Sequence, residues 1–373
     1  MTGLKKCLLA MAEHEDGGSS RAAVQSKFSA LWAVYSRMSA SFWILLVLST
    51  LTMLVAFPVS SILFRLYYVN GGSHRWLLTW VGSAGWPLPA IILLLVYPVR
   101  GIAPTRPTWT LLLAYAVIGF LSAADNFMFA WSYAYLPAST STLLASSSLA
   151  FTAIFAWLLV HKKLNASSVN SIAIMTAGAV ILGLDSSSDR PPGTTSRQYL
   201  IGFVLDVAGS ALHGLIFVLS ELVFVKLLDR KVGSAVHLVL ELQVVTSIFA
   251  CLFTVVGVIA SGDFGDMGGE SQAFKHGPVA YYMVLVWASV SNQLGVLAGV
   301  AVLYLTSALF AGVLNAARVP LTAVAAVLSF GDNMSGFKVM SILLTIWSFG
   351  SYVYGGFVEE AAQQHKQNEN DSL

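Results

Sequence analysis

Five ionisable side chains, Asp125, Asp206, Glu221, Glu241 and Arg318, interrupt long apolar runs, and five amides accompany them: Asn126, Gln243, Asn292, Gln293 and Asn315. At the centre of a lipid-crossing helix an ionisable group costs about 2.5–3.5 kcal/mol. A chain that only has to sit in a membrane has little reason to carry so many. Two kinds of chemistry follow. A carboxyl taken out of water can hold or release its proton near neutral pH, which is what proton coupling requires; Asp125, Glu221 and Glu241 are the candidates. Amides offer a donor and an acceptor together, so Asn126, Asn292, Gln293 and Asn315 can read the edge of a flat polar ring.

The spacing sharpens some of these readings and leaves others open. Ser122, Asn126, Phe129 and Tyr133 follow one another at four, three and four positions, a single helix face. That face sets an amide among aromatic rings, fit to stack on a planar ligand; an amide that merely ties two helices together is equally consistent. Glu221 closes one apolar run and Glu241 opens the next, so a short turn brings them to a similar depth. Glu221 can instead pair with Lys226 or Arg230, and Glu241 can cap a helix end. Asn315, Arg318 and Thr322 form a stripe in which Arg318 either neutralises a buried acid, the commoner use, or meets an anionic ligand group. Asp206 and His213 are seven apart on one face, an acid–base pair of lesser weight, since a lone histidine in a span is more often packed than a relay.

These side chains need elements to position them, and composition says which. Of 373 residues 57% are hydrophobic and 10% charged, with a mean hydropathy of +0.75; a soluble domain has about 25% charged residues. Ten apolar runs reach the roughly 20 residues that cross a bilayer: 41–68, 76–97, 108–135, 138–160, 168–185, 198–226, 235–260, 278–305, 306–330 and 337–357. They are too long and too evenly apolar for barrel strands, so the fold class is an all-α membrane bundle in a lipid bilayer. The expected organisation is a cytosolic tail over 1–40, five helices over 41–185, a linker over 186–197, five more over 198–357 and a polar, unstructured tail over 358–373. Within the first tail, residues 25–38 have the near-helical spacing of an interfacial helix; a frayed tail is at least equally consistent. With the N-terminus inside, thirteen Lys and Arg fall on the cytosolic side and six on the other, which places both termini in the cytosol.

Absences narrow the function. There is no phosphate-binding G-x-x-x-x-G-K-[ST] loop and no channel filter. No nucleophile with a positioned base is evident, so an enzyme is not expected. The seven histidines are scattered without metal-ligand spacing, and Cys7 and Cys251 lie too far apart for a metal motif. No cofactor is expected. A net charge of +2 spread along the chain excludes nucleic acid as a partner. An internal echo is present: YLPASTSTLLASSS at Tyr135 is similar to LYLTSALFAGVLNAA around Tyr304, and Ser171, Ile172 and Thr176 line up with Ser341, Ile342 and Thr345. Two five-span halves in series must be inverted, and carriers built so bind substrate between the halves; chance similarity between apolar spans is the competing reading.

RLYYVNGGSHRWLLTWVGSAGWP, DNFMFAWSYAYLPASTSTLLASSSLAF, SDRPPGTTSRQYLIGF, LSELVF, LELQ and the closing IWSFGSYVYGG resemble, in order, the plant purine permeases across residues 44–357. The resemblance implies a drug/metabolite transporter-like architecture: ten transmembrane helices in two inverted five-helix repeats. It also implies proton-coupled movement of adenine, cytokinins and related nitrogen heterocycles. By position it sets Asp125 and Asn126 on the family's span-three Asp-Asn pair and Glu221 on its span-six Glu. Glu241 and Gln243 fall on the Glu and Gln of its span-seven motif, Gln293 on its span-eight Gln and Trp287 on a recurring Trp. The chain also departs from the pattern. Ser148 and Thr152 stand where members often have Gln and Asn, Asn292 replaces a Trp, His213 a Tyr and Ala323 a Glu. Asn315, Arg318 and Asp206 stand where apolar or uncharged residues are expected.

The expectation is a secondary carrier of purine bases and derivatives, cytokinins foremost, driven by protons. The ring would lie against Phe129, Tyr133 or Trp287, lined further by Ser148 and Thr152, with Asp206, His213 and Arg318 as charge partners. The alternatives are the same fold carrying an alkaloid, a pyridoxine-like vitamin or another heterocycle, and a receptor or scaffold that binds without moving its ligand. The default membrane is the plasma membrane, with endoplasmic reticulum and tonoplast as alternatives.

Overall fold

The computed structural model describes residues 40–161, 166–184, 191, 193–228, 236–331 and 334–371. The tail through residue 39, with the interfacial helix or frayed segment read over 25–38, and half of the 186–197 linker lie outside the described residues. Fourteen α-helices follow in order: α1 (Ala40–Val69), α2 (Arg75–Ala84), α3 (Pro87–Arg100), α4 (Trp109–Tyr135), α5 (Ala138–Ala145), α6 (Ser148–Val160), α7 (Ala166–Leu184), α8 (Ser196–Leu222), α9 (Val236–Ser261), α10 (Asp263–Ala273), α11 (Gly277–Leu305), α12 (Ala308–Ala317), α13 (Val319–Phe330) and α14 (Gly336–Asp371). A π turn over Val223–Leu227 extends α8. There is no strand among the described residues.

Eight stretches are long and apolar enough to cross a membrane: Ala40–Val69, Arg75–Val99, Trp109–Tyr135, Ala138–Val160, Ser196–Leu227, Val236–Ser261, Gly277–Leu305 and Phe310–Phe330. The protein is therefore an all-helical, multi-pass membrane protein. The other two expected spans coincide with α7, whose apolar part Ala166–Ile181 is shorter, and with α14. The last helix also runs on to Asp371, through the polar residues expected to be an unstructured tail; Glu, Ala and Gln, which fill that stretch, are good helix formers.

Local chemistry explains the starts and the interruptions. Thr108 caps α4 by accepting from the Leu111 amide at 3.2 Å. Thr195 and Gln198 form a reciprocal capping box at the start of α8, the T-x-x-Q pattern that satisfies two orphan amides at once. Ser307 caps α12 through the Phe310 amide. Three crossing stretches are broken. The α2–α3 break falls at Gly85-Trp86 before Pro87, and the α12–α13 break at Arg318 before Pro320; proline lacks the amide the helix needs and crowds the preceding turn. The α5–α6 break at Ser146-Ser147 has no proline, and the Ser146 hydroxyl donates to the Leu143 carbonyl at 2.6 Å.

The same order of elements occurs twice. A long helix ends at Tyr135 or Leu305, a two-residue join follows, a broken crossing restarts at Ala138 or Ala308, and a final helix begins at Ala166 or Gly336. Packing across the chain pairs α1 with α11, α4 with α8, α2 with α9, α5 with α13 and α7 with α14. The last pair exchanges bonds: Ser171 Oγ donates to the Ser348 carbonyl and Ser348 Oγ to the Ser171 carbonyl, each at 2.9 Å.

Candidate functional site

Six helices, α1, α2, α4, α8, α9 and α11, line a cavity of about 60 Å³. That holds several waters; a benzene-sized ring takes about 150 Å³, so a ring ligand requires the lining helices to move apart. The walls are polar where lipid-crossing helices are usually apolar. From α4 come Ser122, Asp125 and Asn126, from α9 Gln243, Thr246 and Ser247, from α11 Asn292 and Gln293, and from α8 His213 and Ser220. Asn126 donates to Ser83 Oγ at 3.1 Å and Asn292 to the Gly82 carbonyl at 2.8 Å. Gln243 and Gln293 both donate to Ser247 Oγ, at 2.9 and 3.3 Å. His213 Nδ1 lies 3.1 Å from Asp125 Oδ2. The other atoms of that pair, Asp125 Oδ1 and His213 Nε2, are buried and lack a hydrogen-bond partner. Phe57 and Phe217 flank the imidazole, with ring centroids 6.4 and 4.8 Å away.

A second polar group lies beside the cavity, at the break between α12 and α13. Asn315 Nδ2 donates to Ser148 Oγ at 2.9 Å, and Arg318 Nε donates to Asn315 Oδ1 at 2.8 Å. The guanidinium carbon sits 4.5 Å above the ring centroid of Phe57, a cation–π contact. Thr152 bonds back to the Ser148 carbonyl at 2.7 Å. Phe57 thus touches Arg318 and also lines the cavity, bridging the two groups.

The remaining expected site residues are held elsewhere. Phe129 packs against α8 at Gly209 and Tyr133 against Phe64, 6.2 Å between ring centroids. Trp287 is 55% exposed on the outer face of α11 and is not among the cavity-lining residues. Asp206 is fully buried and accepts from Ser132 Oγ at 2.6 Å and from Ser141 Oγ. Glu221 accepts the Ala308 amide at 3.3 Å, where a helix N-terminus favours an anion. Glu241 accepts from Tyr97 Oη at 2.6 Å and from the Thr105 amide at 3.1 Å. So the structure brings Asp125, Asn126, His213, Asn292 and Gln293 together, groups Ser148, Thr152, Asn315 and Arg318 beside them, and distributes the rest.

Sequence reasoning missed one cluster. Glu270, on the short helix α10, accepts from Tyr67 Oη at 2.6 Å, Tyr281 Oη at 2.8 Å, the Ser73 amide at 2.6 Å and Ser73 Oγ at 3.0 Å. His74 Nδ1 lies 2.7 Å from Glu270 Oε1. Burial pushes this carboxyl up, but the bonds from Tyr67, His74, Tyr281 and Ser73 outweigh burial and hold it below the usual carboxylate range. The segment DFGDMGGESQA reads as a solvated acidic loop, and only the tyrosines at the ends of α1 and α11 hint at a partner.

A polar hollow enclosed between helices of a multi-pass membrane protein is the construction of a solute carrier. Residues 44–362 match the family described as purine nucleobase transmembrane transport. The chain is 53% identical over 330 residues to probable purine permease 5 of Arabidopsis thaliana, covering 88% of this chain and 91% of that one. It is 33% identical to purine permease 3 of the same plant, covering 83% and 91%, and 32% identical to probable purine permease 11, covering 85% and 84%. The chain belongs to the purine nucleobase transport family, a family of permeases and not of enzymes.

Proposed function

We propose that the protein is a proton-coupled secondary carrier of purine bases and their derivatives, cytokinins foremost, in the plasma membrane with both termini in the cytosol. The observation that carries the reading is the hollow itself: three helices from each half surround amides and an acid–base pair. The architecture we assign is ten crossings in two inverted halves. Its support is the doubled element order and the packing pattern. Exchanging each helix for its counterpart five crossings on turns the α1–α11 pair into the α4–α8 pair. The α2–α9 and α7–α14 pairs map onto themselves and the α5–α13 pair onto α12–α6, which also pack together, the behaviour of a two-fold axis in the membrane plane.

Of the three carboxyls considered for coupling, Asp125 alone lines the hollow, so protonation there acts directly on what the cavity binds. Glu241 holds the halves to one another through Tyr97, Glu221 ties α8 to the start of α12 within the second half, and both bias the two open states through those ties. A proton shifts that balance only by its difference in affinity between the states. The amides Asn126, Asn292 and Gln293 read the substrate edge, and the Arg318 group at the broken crossing supports Phe57 from behind.

Uptake of radiolabelled adenine and trans-zeatin into sealed vesicles, with and without a protonophore, tests the reading. Accumulation that collapses with the proton gradient is expected, with pyridoxine and cyclic amines competing weakly. Binding without accumulation, or a cargo outside the purines, would overturn it.

A further inference from the structure

We infer that the Asp125–His213 pair is where proton and substrate meet: uptake of one proton turns the cavity-side imidazole nitrogen from an acceptor into a donor, and a ring nitrogen of the heterocycle takes that bond. The inference deepens the carrier reading and rests on it. His213 Nδ1 and Asp125 Oδ2 are 3.1 Å apart, so one proton must lie between them. With only that proton present, Nε2 carries a lone pair. With the second proton on the imidazole, Nε2 is N–H, whether the first proton is written on Nδ1 or on Oδ2 of the carboxyl.

Geometry gives the switch a target. Nε2 and Asp125 Oδ1 are both buried without a partner, a costly arrangement for two polar atoms, and both side chains line the cavity. A protonated pair presents a donor at Nε2, and its complement is an unprotonated ring nitrogen of the heterocycle. The faces of the imidazole meet Phe57 and Phe217, which carry no titratable group. From α9 and α11 the polar groups in the walls are Gln243, Thr246, Ser247, Asn292 and Gln293, none of them charged. The charges that act on Asp125 through space are Arg318, at the α12–α13 break, and Asp206, on α8. The pair is therefore placed to couple one proton to one substrate without a second site.

The test uses the full-length protein in lipid nanodiscs and adenine as the probe. Calorimetry in two buffers of different protonation enthalpy, repeated at several pH values, counts the protons taken up on binding. Wild type is expected to take up about one proton per adenine, and His213→Gln and Asp125→Asn about none. In a series of deaza-adenines, each with one ring nitrogen replaced by C–H, wild type is expected to lose about tenfold affinity for one member, and His213→Phe to lose that discrimination. Monodisperse elution and a thermal unfolding transition check that each variant folds, and three variants at two positions guard against one misfolding. Equal proton counts in wild type and His213→Gln, no proton uptake by a wild type that binds adenine, or unchanged discrimination in His213→Phe would overturn the inference alone. A folded wild type that does not bind adenine overturns the purine reading, and the inference with it.

Discussion

Asn126 and Trp287 show how much one side chain's direction decides. Both are polar or aromatic residues of apolar helices, and both match positions of the purine permease pattern. Asn126 faces the hollow and bonds to Ser83; Trp287 lies on the outer face. Removing a neutral hydrogen bond costs about 0.5–1.5 kcal/mol, so Asn126→Ala should weaken adenine binding by roughly 2- to 10-fold, whereas Trp287→Leu should leave it unchanged in the same competition assay. Glu241 makes a different prediction from Asp125. Its carboxylate receives Tyr97 and Thr105, so Glu241→Gln weakens a tie between the halves without touching the hollow. Transport by that variant should slow by about fivefold, the difference between a charged and a neutral acceptor, while the pH profile keeps its midpoint. A shifted midpoint would return Glu241 to the coupling site. The amides and Asp125 were legible because polar atoms inside apolar runs demand a reason. The outward turn of Trp287 was not, because a helix that is apolar on every side gives no period from which to read its inner face.

Helices close on one another here through residues with little or no side chain. A Cβ added to Gly214 of α8 would lie 2.7 Å from the Thr152 amide nitrogen and 2.9 Å from the Ser148 carbonyl oxygen of α6. Backbone cannot step aside as a flexible side chain can. Gly214→Val should therefore cost about 1–3 kcal/mol and lower the thermal unfolding midpoint. Because His213 is the preceding residue, the same change should weaken adenine binding. A variant as stable as wild type would contradict the close approach. The α10 cluster gives a pH prediction with a definite sign. Glu270 is held below its ordinary carboxylate range, so its stabilisation is complete above that ordinary value and is lost as pH falls through the lowered one. The unfolding midpoint of the purified protein should drop on acidification from about pH 5 to pH 3, and Glu270→Gln should flatten that limb. The crossings themselves were readable from length and hydropathy, but only as unbroken runs, although Pro87 and Pro320 mark two of the three breaks. The Ser146-Ser147 break and the docking of α10 were not readable: neither leaves a local signature, and both depend on partners far away in the chain.

At the scale of the whole molecule the chain repeats a plan. The echo between Tyr135 and Tyr304 is thin as sequence, yet both residues fall at the end of a long helix just before a broken crossing. Apolar composition hides the relation, because helices that face lipid need only be greasy, while the joins and breaks must recur for the halves to pack alike. The small volume of the hollow, about 60 Å³, bears on the direction of flow. On the proposed carrier reading, a site that can shrink to this size returns without a passenger, and the protein is then not confined to one-for-one swapping. Vesicles preloaded with labelled adenine should therefore empty at about the same rate whether or not unlabelled adenine waits outside. A strong acceleration by the outer pool would mean that the bare protein stalls, and that cargo must ride both ways.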